Sequence, residues 1–468
     1  MSETTAFMPL TDLVAAFEAK DLSPVDAVTT AYRRIDRHET DLNAFCHLLD
    51  EGAALAAARE AERRWAQGAP AGPLDGVPIT VKDALLATGW ATLRGSKLSD
   101  ADTPDSEDSP AVARAREAGA ILIGKTTMPE FGWKGVTDCP LSGITRNPWD
   151  LATTPGGSSG GSAAALAAGI GNAAIGTDAG GSVRIPGSFS GLVALKATYG
   201  RIANYPPSAA GSLGHIGPMT RTVADAALML NVMARPDARD PANLPHDGRD
   251  WREGIEDGID GLRVAFSPTL GYARVDPEVA ALAADAARAL ERLGARVETV
   301  EEPFEDPSAC FRVHFFSGIS HALRNATPEQ RALIDPGILP ILEQARAIGR
   351  TEYMEAIDAR VAFSRSARLF LESWDVLVTP TLAVPPFEAG VLSPDGYDRE
   401  NWMEWSPFTY PFNLTGQPAI SVPCGFTAGG LPVGLQIAGQ YHDEATVLRT
   451  ARAYEAAHPT TARRPPLA

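Results

Sequence analysis

The chain has 468 residues, 44% hydrophobic and 21% charged. That balance supports a large buried core and excludes a wholly disordered chain. Acidic residues outnumber Lys and Arg 58 to 41, for a net charge of −17, which argues against nucleic acid or an anionic membrane as partner.

The four Cys, at 46, 139, 310 and 424, form no C-x-x-C pair. Neither a disulfide framework nor a Cys-rich zinc site is expected, and a reducing, cytoplasmic setting fits. The opening residues MSETTAFMPL carry no basic n-region and no apolar h-region, so no signal peptide is expected. No run of 18 apolar residues predicts a membrane span. The length admits about three domains or one large α/β domain.

Residues 1–68 read as helices packed on the core. Ser23-Pro24 is an N-cap with Pro at the first helical position, and Ala-rich 52–67 stops at Gly68. VPITVK (77–82) reads as a short buried strand ending at Lys82. Ser109-Pro110 opens a helix that closes at Gly119, and strand AILIG (120–124) follows. The block 156–200 is rich in Gly, Ser and Ala and contains strand AAIGT (173–177). Thr222 begins a helix, with Asp225 three places later as a weak capping box. A polar, Asp-rich connector runs from about 236 to 250. Beyond it come strand LRVAF, a helix over 277–293 capped by Asp276, and strand 296–300. Two or three helices are predicted over 327–373, strands at 375–380 and 419–423, and a final helix over 443–457. Strands alternating with helices predict a single α/β domain, built on one large, mixed, mostly parallel twisted sheet with helices on both faces. Within it, 75–245 is expected to form the catalytic core and 260–468 to shape the substrate pocket.

Three motifs carry candidate chemistry. Gly119-Ala-Ile-Leu-Ile-Gly124-Lys125-Thr126 matches the P-loop pattern G-x-x-x-x-G-K-[ST]. Its middle residues are those of a strand, whereas a P-loop needs a flexible turn whose N–H groups wrap phosphate. Lys125 and Thr126 are therefore expected to bind no nucleotide, and Lys125→Ala to leave activity within a few-fold. Gly156-Gly-Ser158-Ser-Gly160 matches the nucleophile elbow G-x-S-x-G, which would make Ser158 an esterase nucleophile. An elbow follows a strand and needs a downstream acid and His. TTPGG before it reads as loop, and the six His beyond it lie in ordinary contexts.

The third is a set: Lys82 in Asp75-Gly-Val-Pro-Ile-Thr-Val-Lys82-Asp83, then Gly156-Gly-Ser158-Ser159-Gly-Gly, then Ser182 in Thr177-Asp178-Ala179-Gly180-Gly181-Ser182-Val183-Arg184. Each piece alone is a strand-end Lys or a Gly-rich turn. Together they closely resemble the amidase signature family of serine amidohydrolases. The resemblance runs from LSPVDAV near the N-terminus to GLPVGLQIAG (430–439). It implies a Ser–cis-Ser–Lys arrangement, with Ser182 as nucleophile, Ser158 as proton relay after a cis Gly157–Ser158 peptide, and Lys82 as base. It also implies an oxyanion hole from the N–H groups of Ala179, Gly180, Gly181 and Ser182, with Asp178 and Arg184 bracing the loop.

Chemistry agrees, since acyl transfer needs a nucleophile, a base, a proton donor for the amine and an anion hole. A Lys at the end of an apolar strand can be buried, which lowers its pKa from about 10.4. Ser159 is expected to hydrogen-bond nearby backbone, and Asp83 to point at backbone rather than act as an acid. No H-E-x-x-H spacing is present, and neither metal nor cofactor is expected.

The expected substrate is a small carboxylic amide, anilide or hydrazide with an apolar or aryl group. Phe131, Trp133, Trp402, Trp405 and Phe408 are candidate pocket walls, although core packing explains them equally. The resemblance also includes the glutaminase subunit of a tRNA-dependent amidotransferase. That alternative lacks an evident charged pair for glutamine, and a chain of charge −17 would need its partner subunit to hold tRNA. A catalytically silent scaffold would have lost Lys82, Ser158 or Ser182, and all three are present. A homodimer is compatible with the sequence.

Overall fold

Local signals place most elements where the sequence puts them. In the computed structural model, which describes residues 4–459 and 463–467, Ser23 caps helix Pro24–Leu42 in a full capping box with Asp26. Thr222 accepts from the Asp225 N–H at the start of Val223–Met233. Asp276 caps Pro277–Arg292 through the Glu278 and Val279 N–H groups. Each cap satisfies N–H groups that a helix start leaves without partners.

The strands, in chain order, are β1 Phe45–Leu48, β2 Pro78–Lys82, β3 Ile121–Thr126, β4 Asp138–Cys139, β5 Gly143–Ile144, β6 Ala173–Asp178, β7 Val193–Lys196, β8 His215–Thr220, β9 Arg263–Phe266, β10 Arg296–Thr299, β11 Val376–Pro380, β12 Ala419–Phe426 and β13 Pro432–Gly439. Eleven of them form one sheet in the order β1-β3-β2-β6-β8-β7-β12-β13-β11-β9-β10, while β4 and β5 pair separately.

The single α/β domain and mixed sheet agree with the sequence reading, but the sheet is not mostly parallel. The β3–β2, β2–β6, β11–β9 and β9–β10 pairings are parallel; the other six are antiparallel. The reason lies in the connections. A parallel neighbour needs a crossover of a dozen or more residues. β12 and β13 are instead joined by a tight turn in which the Thr427 N–H donates to the Leu431 carbonyl at 2.9 Å, and β8 returns through the loop 197–214 to lie between β6 and β7.

Both faces of the sheet are covered, and side-chain alternation sorts them. Ile175, Leu195 and Ile216 join one core with Met229, Leu290 and Leu448 from three helices. Ala174, Ala194 and Met219 face the opposite way, onto Ala163 and Leu166 of helix Gly160–Ala167. From the N-terminal helices, Leu10, Leu13 and Phe17 enter the first core directly. Each fully buried aliphatic side chain contributes roughly 1.5–3 kcal/mol.

The site follows from one register. β2 and β6 are parallel neighbours with Val81 opposite Ile175. Their C-terminal ends, Lys82 on one and Thr177–Asp178 on the other, therefore lie side by side. Crevices at the carboxyl ends of sheet strands are where α/β folds bind ligands.

Candidate active site

β2 is buried along its whole length and delivers Lys82 with no exposed surface. The Lys82 ammonium donates to Ser158 Oγ at 2.7 Å and to Thr177 Oγ1 at 2.8 Å. Burial depresses its pKa to about 7, against a smaller opposing pull from Asp178. Charging this amine in the fold thus costs roughly 5 kcal/mol more than in water. It is poised to exist as the neutral base near neutral pH.

Ser158 follows a cis Gly157–Ser158 peptide. Gly132 lies against it, with φ +72°, and a Cβ there would approach Ser158 Oγ to 3.1 Å. Ser182 sits in the turn between β6 and helix Arg184–Ser190, with 8% of its surface exposed. Its carbonyl accepts from the Ser159 N–H at 3.1 Å, which ties the two serine-bearing loops together. Ser158, Thr177, Asp178, Ala179 and Ser182 all line one cavity of about 110 Å³.

Asp178 and Arg184 brace the turn as a buried ion pair. Arg184 reaches both Asp178 oxygens at 3.0 Å, and its other N–H groups meet the Thr409 carbonyl, Gln436 Oε1 and Asn413 Oδ1. Burial alone would raise the Asp178 pKa, but the Arg184 charge and hydrogen bonds, with help from Asn413, hold it well below the usual carboxylate range. Asp178 Oδ1 also accepts from the Gly181 N–H at 2.7 Å. This corrects the four-donor oxyanion hole, because Gly181 is committed to the loop. Among the described residues, the N–H groups of Ala179, Gly180 and Ser182 have no acceptor within the chain. Gly181 itself needs its φ of +125°, and a Cβ there would meet Thr409 Oγ1 at 2.4 Å.

Ser159 Oγ donates to the Thr177 carbonyl at 3.2 Å. Asp83, next to Lys82 on the chain, accepts from the Leu93 N–H and pairs with Lys125 at 3.3 Å. The P-loop look-alike is strand β3. Lys125 is fully buried and also bonds Thr92 and the Ala91 carbonyl. Truncation by Lys125→Ala would leave the Asp83 charge buried without its partner, a cost that falls on stability. The elbow reading of Ser158 fails on geometry as well. Residues 154–157 form no strand, and among the described residues no His hydrogen-bonds Ser158. His215 lines the cavity, but its Nδ1 lies 2.8 Å from the Leu213 carbonyl. Burial and then the Lys196 charge push its pKa well below the ordinary value.

The pocket aromatics divide. Phe131 lines the cavity. Trp133 is buried and donates to Asp335 Oδ2 at 3.1 Å. Trp405 stacks on Phe189, and Phe408 packs with Phe412 and Leu377. Trp402 lies behind the turn, where a Cβ on Gly180 would touch its ring at 3.1 Å. Residues 402–410 thus support the Ser182 turn from behind, with Thr409 Oγ1 donating to the Gly180 carbonyl at 2.7 Å. Among the described residues, the C-terminal half contributes only Phe315 and Ile319 to the cavity wall, less than the sequence reading expected. Thr177, Asn413 and Gly132 were not singled out from the sequence.

The sequence profile of the Amidase family matches residues 26–448. This chain belongs to the amidase signature family. It is a hydrolase acting on amide C–N bonds. An acylamidase from Rhodococcus erythropolis is 38% identical over 472 residues, covering 98% of this chain and 97% of the relative. A glutamyl-tRNA(Gln) amidotransferase subunit from Myxococcus xanthus (strain DK1622) is 36% identical, over 98% of this chain and 99% of its own length. The crystal structure of a bacterial aryl acylamidase of the amidase signature family superposes with a TM-score of 0.89 at 30% identity, with 97% of each chain covered. Among the described residues, no helix is long and apolar enough to cross a membrane.

Proposed function

We propose that this amidase hydrolyses a small carboxylic amide through an acyl-enzyme on Ser182. Ser182 Oγ attacks the carbonyl carbon while its proton passes through Ser158 Oγ to Lys82 Nζ. The N–H groups of Ala179, Gly180 and Ser182 receive the developing oxyanion, each such donor contributing about 3–4 kcal/mol. The proton then returns from Lys82 through Ser158 to the amine nitrogen, the C–N bond breaks and the amine leaves. Water attacks the Ser182 ester by the same route and releases the acid. The observation that carries this reading is the 2.7 Å contact between Ser158 and a buried Lys82 whose pKa lies at about 7.

An apolar or aryl group beside the scissile bond fits Leu85, Met128, Phe131, Phe315 and Ile319 in the wall. The names of the acylamidase relative and the aryl acylamidase structure support it. The amidotransferase relative supports a second reading, glutamine hydrolysis for a tRNA-bound partner. Against it, Asp178 is the cavity's acidic side chain and is already held by Arg184. The four free Cys suit a cytoplasmic setting. A homodimer has a candidate face in Met354, Val361 and Leu369, exposed at near-heptad spacing on helix Arg350–Leu371.

Assaying anilides, hydrazides, primary amides and glutamine separates the readings. Turnover of amides that depends on Ser182, with glutamine poor, is expected. Glutamine as the best substrate would favour the second reading.

A further inference from the structure

Arg94 stands apart in the cavity wall. It lines the same space as Ser158 and Ser182, and among the described residues its guanidinium has no ion pair and no hydrogen bond. Asp178 in the same wall is paired with Arg184, and Lys82, outside the lining, is held by Ser158 and Thr177. The backbone at Arg94 is in the left-handed region, φ 53°, as is that of Phe131 across from it, φ 52°. Such geometry is uncommon outside glycine and persists only where the surroundings enforce it. Here they do. The Arg94 N–H donates to the Asp83 carbonyl at 3.2 Å, and the Phe131 N–H donates to the Arg94 carbonyl at 2.8 Å. The next residue, Gly95, packs so closely that a Cβ would lie 2.5 Å from the Met128 carbonyl oxygen. Arg94 is thus fixed to the residue after Lys82 on one side and to the Phe131 loop on the other.

An always-charged, forked donor fixed beside a reaction centre without a counter-charge matches a planar anion. We propose that Arg94 determines specificity by binding a carboxylate carried by the amide substrate. This rests on the amidase reading and narrows it. The substrate is an amide with an apolar span and a carboxylate at its far end, such as a dicarboxylic acid monoamide or an amide of an aromatic amino acid. Among the described residues, the wall has no free anion for an ammonium, so glutamine's α-amino group is unmatched. The net charge of −17 disfavours anions at long range, but that field is screened within about 8 Å at physiological salt. Selection therefore has to come from a contact.

Binding tests this without relying on turnover. Calorimetry in a Ser182→Ala background would compare matched pairs: glutaric acid mono-4-nitroanilide against pentanoic acid 4-nitroanilide, and 4-acetamidobenzoate against 4-methylacetanilide. In at least one pair the acid should bind about tenfold or more tightly than its neutral partner. Adding Arg94→Gln should abolish that advantage, Arg94→Lys should keep part of it, and salt should shrink it. Equal binding in both pairs, or an advantage that survives Arg94→Gln, would overturn the inference. Hydrolysis of the neutral anilides by the unmodified enzyme reports separately on the amidase reading.

Discussion

Lys82 Nζ lies 2.7 Å from Ser158 Oγ, and the strand that carries Lys82 is buried throughout. Only the neutral amine can accept a proton, and burial sets its pKa at about 7. On the proposed mechanism, activity should therefore be low where Lys82 is charged, below that value, and rise with pH through it. A profile of kcat/KM from pH 5 to 9 should show one ascending limb with a midpoint near 7, far below the free Lys value of about 10.4. Lys82→Ala should lose about 10³-fold or more. Lys82→Arg should be nearly as poor, because guanidinium keeps its proton. Near-normal turnover by Lys82→Arg would show that position 82 supplies charge only.

Asp178 tests the brace. Asp178→Asn leaves Arg184 buried without a counter-charge, a change that costs about 3–5 kcal/mol. Thermal unfolding should register that loss. In any folded fraction the activity limb should move to lower pH, since the Asp178 charge raises the Lys82 pKa. An unchanged limb would show that Asp178 does not act on Lys82.

Gly132 tests the relay serine. Alanine there adds a Cβ 3.1 Å from Ser158 Oγ at a φ of +72°. The left-handed alanine costs about 1 kcal/mol, so the fold should survive. Displacing Ser158 should lower kcat by about tenfold or more, on the scale of a small misplacement of a catalytic group. Activity near that of the unmodified enzyme would show that Ser158 tolerates the shift.

Lys125 separates a structural cation from a nucleotide site. Lys125→Ala should lower stability in urea by about 3–5 kcal/mol, and ATP should leave the melting temperature of the unmodified protein unchanged. Stabilisation by ATP that disappears in the variant would restore the P-loop reading of Gly119–Thr126.

The proposed catalytic set was legible through the family resemblance, which rests on short local motifs. Lys82 ends an apolar strand, and Ser158 and Ser182 each follow a pair of glycines. What failed to show depends on distant contacts. Asn413 reaches Asp178 across 235 positions, and Thr177 looks like any β-branched strand residue until the β2–β6 register brings it to Lys82. Trp402 and Trp405 have a composition shared by pockets and cores, and only packing assigns them. The antiparallel centre had a visible signal, since Thr427-Ala-Gly-Gly430 separates two apolar runs as a hairpin turn would.

Acylation of Ser182 is tested most directly by trapping. The protein would be treated with a fluorophosphonate, digested and mapped by mass spectrometry. The adduct should lie on Ser182, be absent from Ser182→Ala, and form more slowly as pH falls below about 7, where Lys82 is charged. An adduct on Ser158 or Ser159, within 156–162, would contradict the assignment of the nucleophile.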